Sequence, residues 1–247
     1  MNRLAETPIL ILCGGLGTRL REVIADRPKG LAPIGETPFL EIQLELLKRQ
    51  GARKFVLCVG HQAELIEKHF GDGSRFGFSV QYSFEEPGKL MGTAGALRLA
   101  KDHAQPFAMA MNGDTYLDVN YAEVLEHHVS RRENGVLGTL AVSRLDDASR
   151  FGTVLLNESE EFVTGFQEKS KSPAGQGGWL NAGVYVLERD LLDDIPADRP
   201  VSIERDTFPQ LLNAGAKLAA YRCQAPFYDI GTPDDFLRFQ GIYKTLK

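Results

Sequence analysis

The chain has 247 residues, of which 43% are hydrophobic and 25% charged, and these ordinary globular values argue against disorder. Its net charge of -5 argues against a general nucleic-acid-coating protein, which would need a basic surface. Three cysteines without a CxxC pair argue against a disulfide framework, and the longest apolar runs are too short to span a membrane. We therefore expect a cytoplasmic protein with buried cysteines and with no nucleic-acid or membrane partner.

The first half of the chain alternates strand-like and helix-like patterns. Apolar runs predict buried strands at 9–13, 55–59 and 107–111, and alternating polarity predicts a half-exposed strand at 78–84. Helices are predicted at 37–51, 62–71 and 92–101, and another is predicted from Asn120, whose spacing to Glu123 is typical of an N-cap. This alternation is typical of an α/β protein with a mainly parallel sheet covered by helices.

From residue 136 onwards the predicted elements are mostly strands. They are expected at 136–143, 152–156, 162–167, 180–187 and 218–223. A helix is predicted at 202–214 despite Pro209, and a last helix should begin at Pro233 after a Thr232 cap. We interpret the whole chain, 1–247, as one compact unit, with a nucleotide-binding half at about 1–135 and a mixed-sheet substrate half at about 136–247.

A glycine-rich turn follows the first predicted strand. It contains Gly14, Gly15, Gly17, Thr18 and Arg19, and Lys29 follows shortly after. Glycine lets backbone amides approach phosphate closely, and the two cations would neutralise its charge. The turn is neither a Walker loop nor a complete dinucleotide fingerprint, which would need a glycine in place of Leu20. The glycines alone fit a structural turn equally well, and the two cations favour a phosphate site.

Two aspartates, Asp114 and Asp229, each end an apolar run. A side chain at the carboxyl end of a parallel strand lies in the usual ligand crevice of such a sheet. Mg²⁺ is commonly held by one or two carboxylates together with water and phosphate oxygens. We therefore predict Mg²⁺ as the cofactor, with both aspartates as its protein ligands. An ordinary turn aspartate is the alternative for Asp114.

Several short motifs resemble those of the sugar-1-phosphate nucleotidyltransferases, in the same order and over nearly the whole chain. They are GGLGTRL at 14–20, PKGLAPIGETPFL at 28–40, GTAG at 92–95, NGD at 112–114, FQEK at 166–169, NAGVY at 181–185 and YDIG at 228–231. The chain is therefore identified as a member of that family. The resemblance implies an α/β, Rossmann-like three-layer nucleotidyltransferase fold with a mainly parallel central mixed sheet.

The resemblance also implies a reaction and a set of residue roles. An oxygen of a sugar 1-phosphate attacks the α-phosphorus of a nucleoside triphosphate, pyrophosphate leaves, and alignment and charge neutralisation supply most of the catalysis. Arg19 would lie over the leaving phosphates, Lys29 would hold the reacting phosphate, and Asp114 would act beside it on the metal. The other implied binding residues are Gly14, Gly15, Gly17, Thr18, Gly92 and Thr93 for the nucleotide, and Gly152, Glu168, Lys169 and Asn181 for the sugar phosphate.

The stretch before Gly92 is expected to select the nucleobase. Relatives that transfer thymidylyl or uridylyl groups carry a glutamine there, whereas residues 83–91 of this chain contain none. A carboxylate accepts hydrogen bonds only, which suits the N1–H and N2–H₂ edge of guanine. Glu85 is therefore predicted to bind guanine, with GTP as the triphosphate. The alternative is a surface glutamate, because this stretch is about two residues longer than in relatives with a bare PLGTAG.

Further motifs resemble the D-glycero-α-D-manno-heptose 1-phosphate guanylyltransferases. They are LREV at 20–23, PFL at 38–40, SRFG at 149–152, VSIE at 201–204 and DIGTPDD at 229–235. This resemblance implies synthesis of GDP-heptose for a surface polysaccharide or glycan. A mannose 1-phosphate guanylyltransferase is the chief alternative, because one pocket contact at the sugar C6 substituent separates the two substrates. The chain departs from the usual pattern at Cys13, at Gly30 and at 89–91.

Two alternatives belong to other functional classes. A glycosyltransferase would be expected to carry a DxD metal motif, which 114–116 does not provide. A non-catalytic sugar-nucleotide sensor would tolerate loss of Arg19, Lys29 or a metal aspartate, and all of these are present. The histidines show no metal-ligand spacing, and His127 and His128 are expected on the surface of a helix. Whether the chain forms a homo-oligomer is left open.

Overall fold

The computed structural model describes residues 3–20, 23–24, 26–145, 153–167 and 177–246. Its helices are α1 (Arg3–Glu6), α2 (Phe39–Arg49), α3 (Ala63–Phe70), α4 (Gly92–Leu99), α5 (Tyr121–Arg132), α6 (Arg189–Asp193), α7 (Phe208–Asn213) and α8 (Pro233–Leu246). Its strands are β1 (Ile9–Leu12), β2 (Pro33–Ile34), β3 (Thr37–Pro38), β4 (Lys54–Val59), β5 (Ser79–Phe84), β6 (Phe107–Asn112), β7 (Thr115–Leu117), β8 (Val136–Leu145), β9 (Thr153–Leu156), β10 (Val163–Gln167), β11 (Gly178–Glu188), β12 (Lys217–Cys223) and β13 (Phe227–Asp229).

Over the described residues, one mixed sheet of nine strands runs through both halves of the chain. Strands β5, β4, β1 and β6 lie side by side and are parallel to one another. Strand β11 is antiparallel to β6 and also pairs with β8 and β9. Beyond them, β12 pairs with β8, and β10 pairs with β9. The carboxyl ends of β1, β4 and β6 therefore meet at one edge, where a ligand crevice is expected. The predicted fold class is confirmed.

Helices cover both faces of the sheet and create two separate hydrophobic cores. Alternate residues of β1 point in opposite directions, so that Ile9 and Ile11 pack in one core with Phe39 of α2. Leu10 packs in the other core with Leu97 of α4. Because both faces of the central strands are buried, these strands appear in the sequence as continuous apolar runs. The result is the predicted three-layer arrangement.

The predicted helix caps at Asn120 and Thr232 are confirmed. Asn120 Oδ1 accepts from the backbone N–H of Ala122 and Glu123, at 3.1 and 3.3 Å. Thr232 Oγ1 accepts from the N–H of Asp235 at 3.3 Å and donates to its carboxylate at 2.8 Å, which forms a reciprocal cap before α8. Each cap satisfies N–H groups that lack a partner inside the helix.

Two predicted helices differ in detail from the structure. Pro38 belongs to β3 and precedes α2, because its extended backbone allows it to pair with Pro33 of β2. The helix predicted at 202–214 is divided into a π-helical turn, Ile203–Thr207, and α7. Pro209 lies in the first turn of α7, where the N–H that proline lacks is not needed.

The prediction that His128 lies on the surface of a helix is wrong. Its side chain is fully buried between α5 and the sheet, with Nδ1 3.0 Å from Thr139 Oγ1 and Nε2 3.0 Å from Glu188 Oε1. Burial lowers the pKa of His128 because the imidazolium form is poorly solvated there. His127, the next residue, is partly exposed.

The cysteines largely follow the prediction. Cys13 and Cys58 are buried, while Cys223 is partly exposed. No helix in the described part of the chain has the length and apolar character that crossing a bilayer requires.

Candidate active site

A cleft of about 340 Å³ opens at the carboxyl ends of β1 and β6. It contains all of the predicted nucleotide-binding and catalytic residues. Those that line it are Gly14, Gly15, Gly17, Thr18, Arg19, Lys29, Glu85, Gly92, Thr93 and Asp114. The fold thus brings together residues from five separate segments, which fits the ligand crevice expected at this edge of the sheet.

The three glycines of the first turn have different physical roles. A Cβ on Gly14 would lie 2.5 Å from Glu85 Oε2 and 2.8 Å from the backbone N of Gly60, so this position cannot carry a side chain without displacement. Gly17 has φ of +59°, a left-handed conformation that L-residues rarely adopt. A Cβ on Gly15 would meet no atom within 4 Å. Gly15 is therefore open on the side where a ligand can approach the backbone.

Lys29 lies between the two predicted metal aspartates. Its Nζ is 2.6 Å from Asp114 Oδ2 and 3.9 Å from Asp229 Oδ1, and only 13% of its side chain is exposed. Asp229 reaches this position because β13 pairs with β7, with Asp229 opposite Thr115. The N–H of Ile230 also donates to the carbonyl of Asp114 at 3.0 Å. Two carboxylates that are far apart in sequence therefore share one ammonium group.

The pKa of the Asp229 carboxyl is raised, first by burial and then by the negative charge of Asp114. Lys29, the N–H of Gly231 and Arg19 lower it, but they do not offset the two raising effects. Two neighbouring carboxylates repel each other when both are ionised, and a bound cation relieves that repulsion. Within the described residues, no cluster of three or more His, Cys, Asp or Glu side chains is arranged to hold a metal.

The oxygen atoms at this site are of the kind that Mg²⁺ prefers. Asp114 and Asp229 offer hard oxygen ligands, and Mg²⁺ usually takes one or two carboxylates and completes its shell with water and phosphate oxygens. Two aspartates beside an amide-lined turn meet that requirement, whereas a metal held by protein side chains alone would need more ligands. The residues fit a magnesium ion that binds together with a phosphate substrate.

Glu85 is held inside the cleft and is only partly exposed. Its Oε1 accepts from the N–H of Met91 at 2.6 Å, and its Oε2 packs against Gly14 and Gly60. Burial raises the pKa of Glu85, and the Met91 hydrogen bond opposes that change. The carboxylate is thus fixed at the wall of the cleft and has acceptor capacity left for a ligand.

Gly92 and Thr93 begin α4 and contact the segment at 201–203. Gly92 has φ of +74°, and a Cβ there would lie 2.5 Å from the carbonyl oxygen of Val201. Thr93 Oγ1 accepts from the N–H of Ile203 at 2.8 Å. The hydroxyl predicted to bind nucleotide therefore also attaches a segment from the second half of the chain.

The predicted sugar-phosphate residues are only partly accounted for. Asn181 lies on β11 outside the cleft lining, where its Nδ2 donates to Tyr185 and its Oδ1 accepts from the N–H of Gly183. Gly152, Glu168 and Lys169 lie outside the described residues. Their predicted roles stay predictions.

Several residues of the site received no role from the sequence. Gly60 packs against Glu85, Gly231 lies beside Lys29 and Asp229, and Asn112 lines the cleft. Among the described residues, the buried Asn112 Oδ1 has no hydrogen-bond partner, which leaves an acceptor beside the cleft. A glycine directly after a buried strand was the available signal for Gly60. No local pattern distinguishes the other contacts, because each depends on pairing between distant segments.

Known proteins are similar to this chain over most of its length. The sequence matches the nucleotidyl transferase family over residues 9–245. It is 35% identical over 233 residues to a D-glycero-alpha-D-manno-heptose 1-phosphate guanylyltransferase of Campylobacter jejuni, covering 93% of this chain and 97% of that protein. It is 36% identical over 235 residues to a mannose-1-phosphate guanylyltransferase of Mycobacterium tuberculosis, covering 94% of this chain but 63% of that protein.

A solved structure shows the same similarity. The crystal structure of HddC from Yersinia pseudotuberculosis complexed with GMP-PN superposes with a TM-score of 0.82 and 28% sequence identity, covering 96% of this chain and 99% of that one.

Proposed function

Because the chain belongs to the nucleotidyl transferase family, we propose that it transfers GMP from GTP to D-glycero-α-D-manno-heptose 1-phosphate, forming GDP-heptose and pyrophosphate. The proposal rests chiefly on one observation: Lys29 and two carboxylates converge beside a glycine turn that is open to a phosphate. The heptose guanylyltransferase of Campylobacter jejuni supports the choice of substrate, since it matches over nearly its whole length.

In this reaction a phosphate oxygen of the sugar 1-phosphate forms a bond to the α-phosphorus of GTP, and the bond from that phosphorus to the bridging oxygen of pyrophosphate breaks. Amides of the 14–18 turn hold the triphosphate, and Arg19 neutralises the charge that develops on pyrophosphate. Lys29 reaches the reacting phosphate from its position between Asp114 and Asp229. The enzyme's main contribution is to align the two anionic substrates.

Asp114 and Asp229 would hold Mg²⁺. When it is bound, the ion neutralises phosphate charge and fixes the geometry of the triphosphate. With that charge supplied, the Lys29 ammonium would be available to the reacting phosphate as well as to the two carboxylates. The distance from Lys29 Nζ to Asp114 Oδ2, 2.6 Å, supports the placement of this cation at the carboxylates that would hold the ion.

We propose that Glu85 selects guanine. A carboxylate accepts from both N1–H and N2–H₂ of guanine, whereas uracil and thymine present a mixed edge of donors and acceptors. The position of Glu85 at the wall of the cleft supports this role. Hydrogen bonds from guanine would also stabilise the ionised form of a carboxyl whose pKa is raised by burial.

We propose that Asn181, Gly152, Glu168 and Lys169 bind the sugar phosphate, as the family resemblance implies. Mannose 1-phosphate is the alternative substrate, supported by the Mycobacterium tuberculosis relative. The heptose has the stronger support, because the Campylobacter jejuni protein matches over 97% of its own length, whereas the Mycobacterium tuberculosis protein matches over 63%. Nucleoside triphosphate and sugar phosphate substrates are consistent with the cytoplasmic location expected from the sequence.

The test is a matrix of GTP, CTP, UTP and dTTP against heptose, mannose and glucose 1-phosphates, with pyrophosphate release as the readout. GTP with the heptose phosphate should give the highest kcat/KM. Glu85→Gln should reduce the preference for GTP over UTP by about tenfold, the loss expected for one hydrogen bond. Glu86→Gln is the matched control, because Glu86 is exposed and pairs with Lys89. Equal use of all four triphosphates, or an unchanged preference in Glu85→Gln, would contradict the role of Glu85.

A further inference from the structure

A buried tyrosine connects Asn181 with Glu204. Tyr185 lies on β11 and is 0% exposed. Its hydroxyl accepts from Asn181 Nδ2 at 2.9 Å and donates to Glu204 Oε1 at 3.3 Å. None of the roles assigned so far uses Tyr185 or Glu204.

Glu204 lies on the π-helical turn Ile203–Thr207, a local widening of the helix that is frequent at functional sites. Its second oxygen, Oε2, accepts from Ser202 Oγ at 3.2 Å. The same turn is attached to the start of α4 by the bond from Ile203 N–H to Thr93 Oγ1, at 2.8 Å. The turn that carries Glu204 is therefore attached to the nucleotide side of the cleft.

The Glu204 carboxylate sets the direction of the hydrogen bonds that run from it through Tyr185 to Asn181. An ionised carboxylate can only accept, so the Tyr185 hydroxyl must donate its single proton to Glu204. Towards Asn181 that hydroxyl can then only accept, so the Nδ2 end of the amide must face it. The other end, Oδ1, accepts from the N–H of Gly183 at 3.1 Å. The orientation of the Asn181 amide is thereby fixed at both ends.

We propose that Glu204 is a positioning residue that acts through the Tyr185 hydroxyl to hold the Asn181 amide in one orientation towards the sugar phosphate. The proposal rests on the proposed role of Asn181 as a sugar-phosphate ligand. One N–H of Nδ2 and one lone pair of Oδ1 stay available for the substrate, because each atom uses only part of its capacity inside the protein. Asn181 is partly exposed, so a ligand can reach it.

Steady-state kinetics with four variants test the proposal. Glu204→Ala removes the acceptor, so the Tyr185 hydroxyl can turn its proton towards Asn181 and no longer holds the Nδ2 end of the amide. KM for the sugar 1-phosphate should therefore rise about tenfold while KM for GTP changes by less than about twofold. Tyr185→Phe should have the same effect. Glu204→Gln should restore KM to within about twofold of wild type, because the amide oxygen still accepts from Tyr185.

Asp206→Ala is the matched control. Asp206 is exposed and belongs to the same π-helical turn, where its carboxylate accepts from the N–H of Ser202 at 2.7 Å. It has no hydrogen bond to Tyr185 among the described contacts, so both KM values should stay within about twofold of wild type. If Asp206→Ala and Glu204→Ala raise both KM values alike, the effect comes from the turn and the proposal is overturned.

A second readout does not depend on turnover. In ¹⁵N-labelled protein, the side-chain NH₂ resonances of Asn181 should shift in Glu204→Ala and Tyr185→Phe and stay in place in Asp206→Ala. Unmoved resonances in the first two variants would overturn the positioning role even if the enzyme uses the predicted substrates. Conversely, if the wild-type protein turns over no sugar 1-phosphate but the two variants show these shifts, the proposed function is contradicted and the hydrogen-bond chain is retained.

Discussion

Replacing Lys29 by methionine should destabilise the protein without metal and make its stability depend on Mg²⁺. Lys29 Nζ lies 2.6 Å from Asp114 Oδ2 and 3.9 Å from Asp229 Oδ1, so those two oxygens are no farther apart than the sum of the distances, about 6.5 Å. With an effective dielectric constant of about 20, two negative charges at about 6.5 Å repel each other by about 2.5 kcal/mol. Methionine has a similar length and no charge to offset this repulsion.

The assay is urea unfolding near neutral pH, with EDTA or with magnesium. In EDTA, Lys29→Met should lose about 2 kcal/mol of unfolding free energy, because the repulsion is limited once one carboxyl takes up a proton. Asp229 is the carboxyl that should do so, since burial and Asp114 already raise its pKa. Magnesium should recover much of the loss, because a divalent cation replaces the missing charge between the same oxygens.

Lys48→Met is the matched control. Lys48 pairs with Glu45 on an exposed face of α2, with 31% of its side chain accessible, and such a pair contributes little. It should lose less than about 1 kcal/mol and show no added response to magnesium. The reasoning would be refuted if Lys29→Met stayed within about 0.5 kcal/mol of wild type in EDTA, or if magnesium stabilised both proteins equally.

Three further predictions follow from the same structure. Asp229→Asn should lower turnover by at least about a thousandfold, and a near-native rate with saturating magnesium would contradict this. Its free energy of unfolding in EDTA should be unchanged or higher than that of wild type, because the fold disfavours the ionised carboxyl of Asp229. Gly92→Ala should lower the free energy of unfolding in urea by at least about 2 kcal/mol, because alanine is strained at φ of +74° and its Cβ would also clash with the Val201 carbonyl oxygen. Gly88→Ala is its control, with φ of +79° and open space around it, and should cost only about 1 kcal/mol. Burial and the charge of Arg131 lower the pKa of His127 from 6.5 to about 4, so the unfolded chain binds the proton more tightly and stability falls as the pH drops below 6.5. His127→Gln should reduce this acid loss by about 1 kcal/mol near pH 4.5, after allowance for partial solvation, and an unchanged pH profile would contradict the assignment.

The sequence determined the elements that depend on local patterns. Continuous apolar runs identified the central strands, because burial on both faces removes the alternation that marks a half-exposed strand. The caps at Asn120 and Thr232 were predictable because the capping side chain and its N–H partners are only two or three residues apart. The glycine turn and its cations were recognisable for the same reason, and they account for one wall of the cleft.

The tertiary structure decided which distant side chains meet. Asp229 lies beside Asp114 through two three-residue strands, β7 and β13, whose pairing carries almost no local signal because so short a strand has no periodicity. His128 is buried, although His127 beside it is partly exposed, because the packing of α5 on the sheet selects one helix face.

The contact from Glu204 to Tyr185 likewise joins a π-helical turn to a strand and depends on the path of the chain between them. Local propensity acts over a few neighbouring residues, whereas the active site depends on the register between segments that only the complete fold brings together.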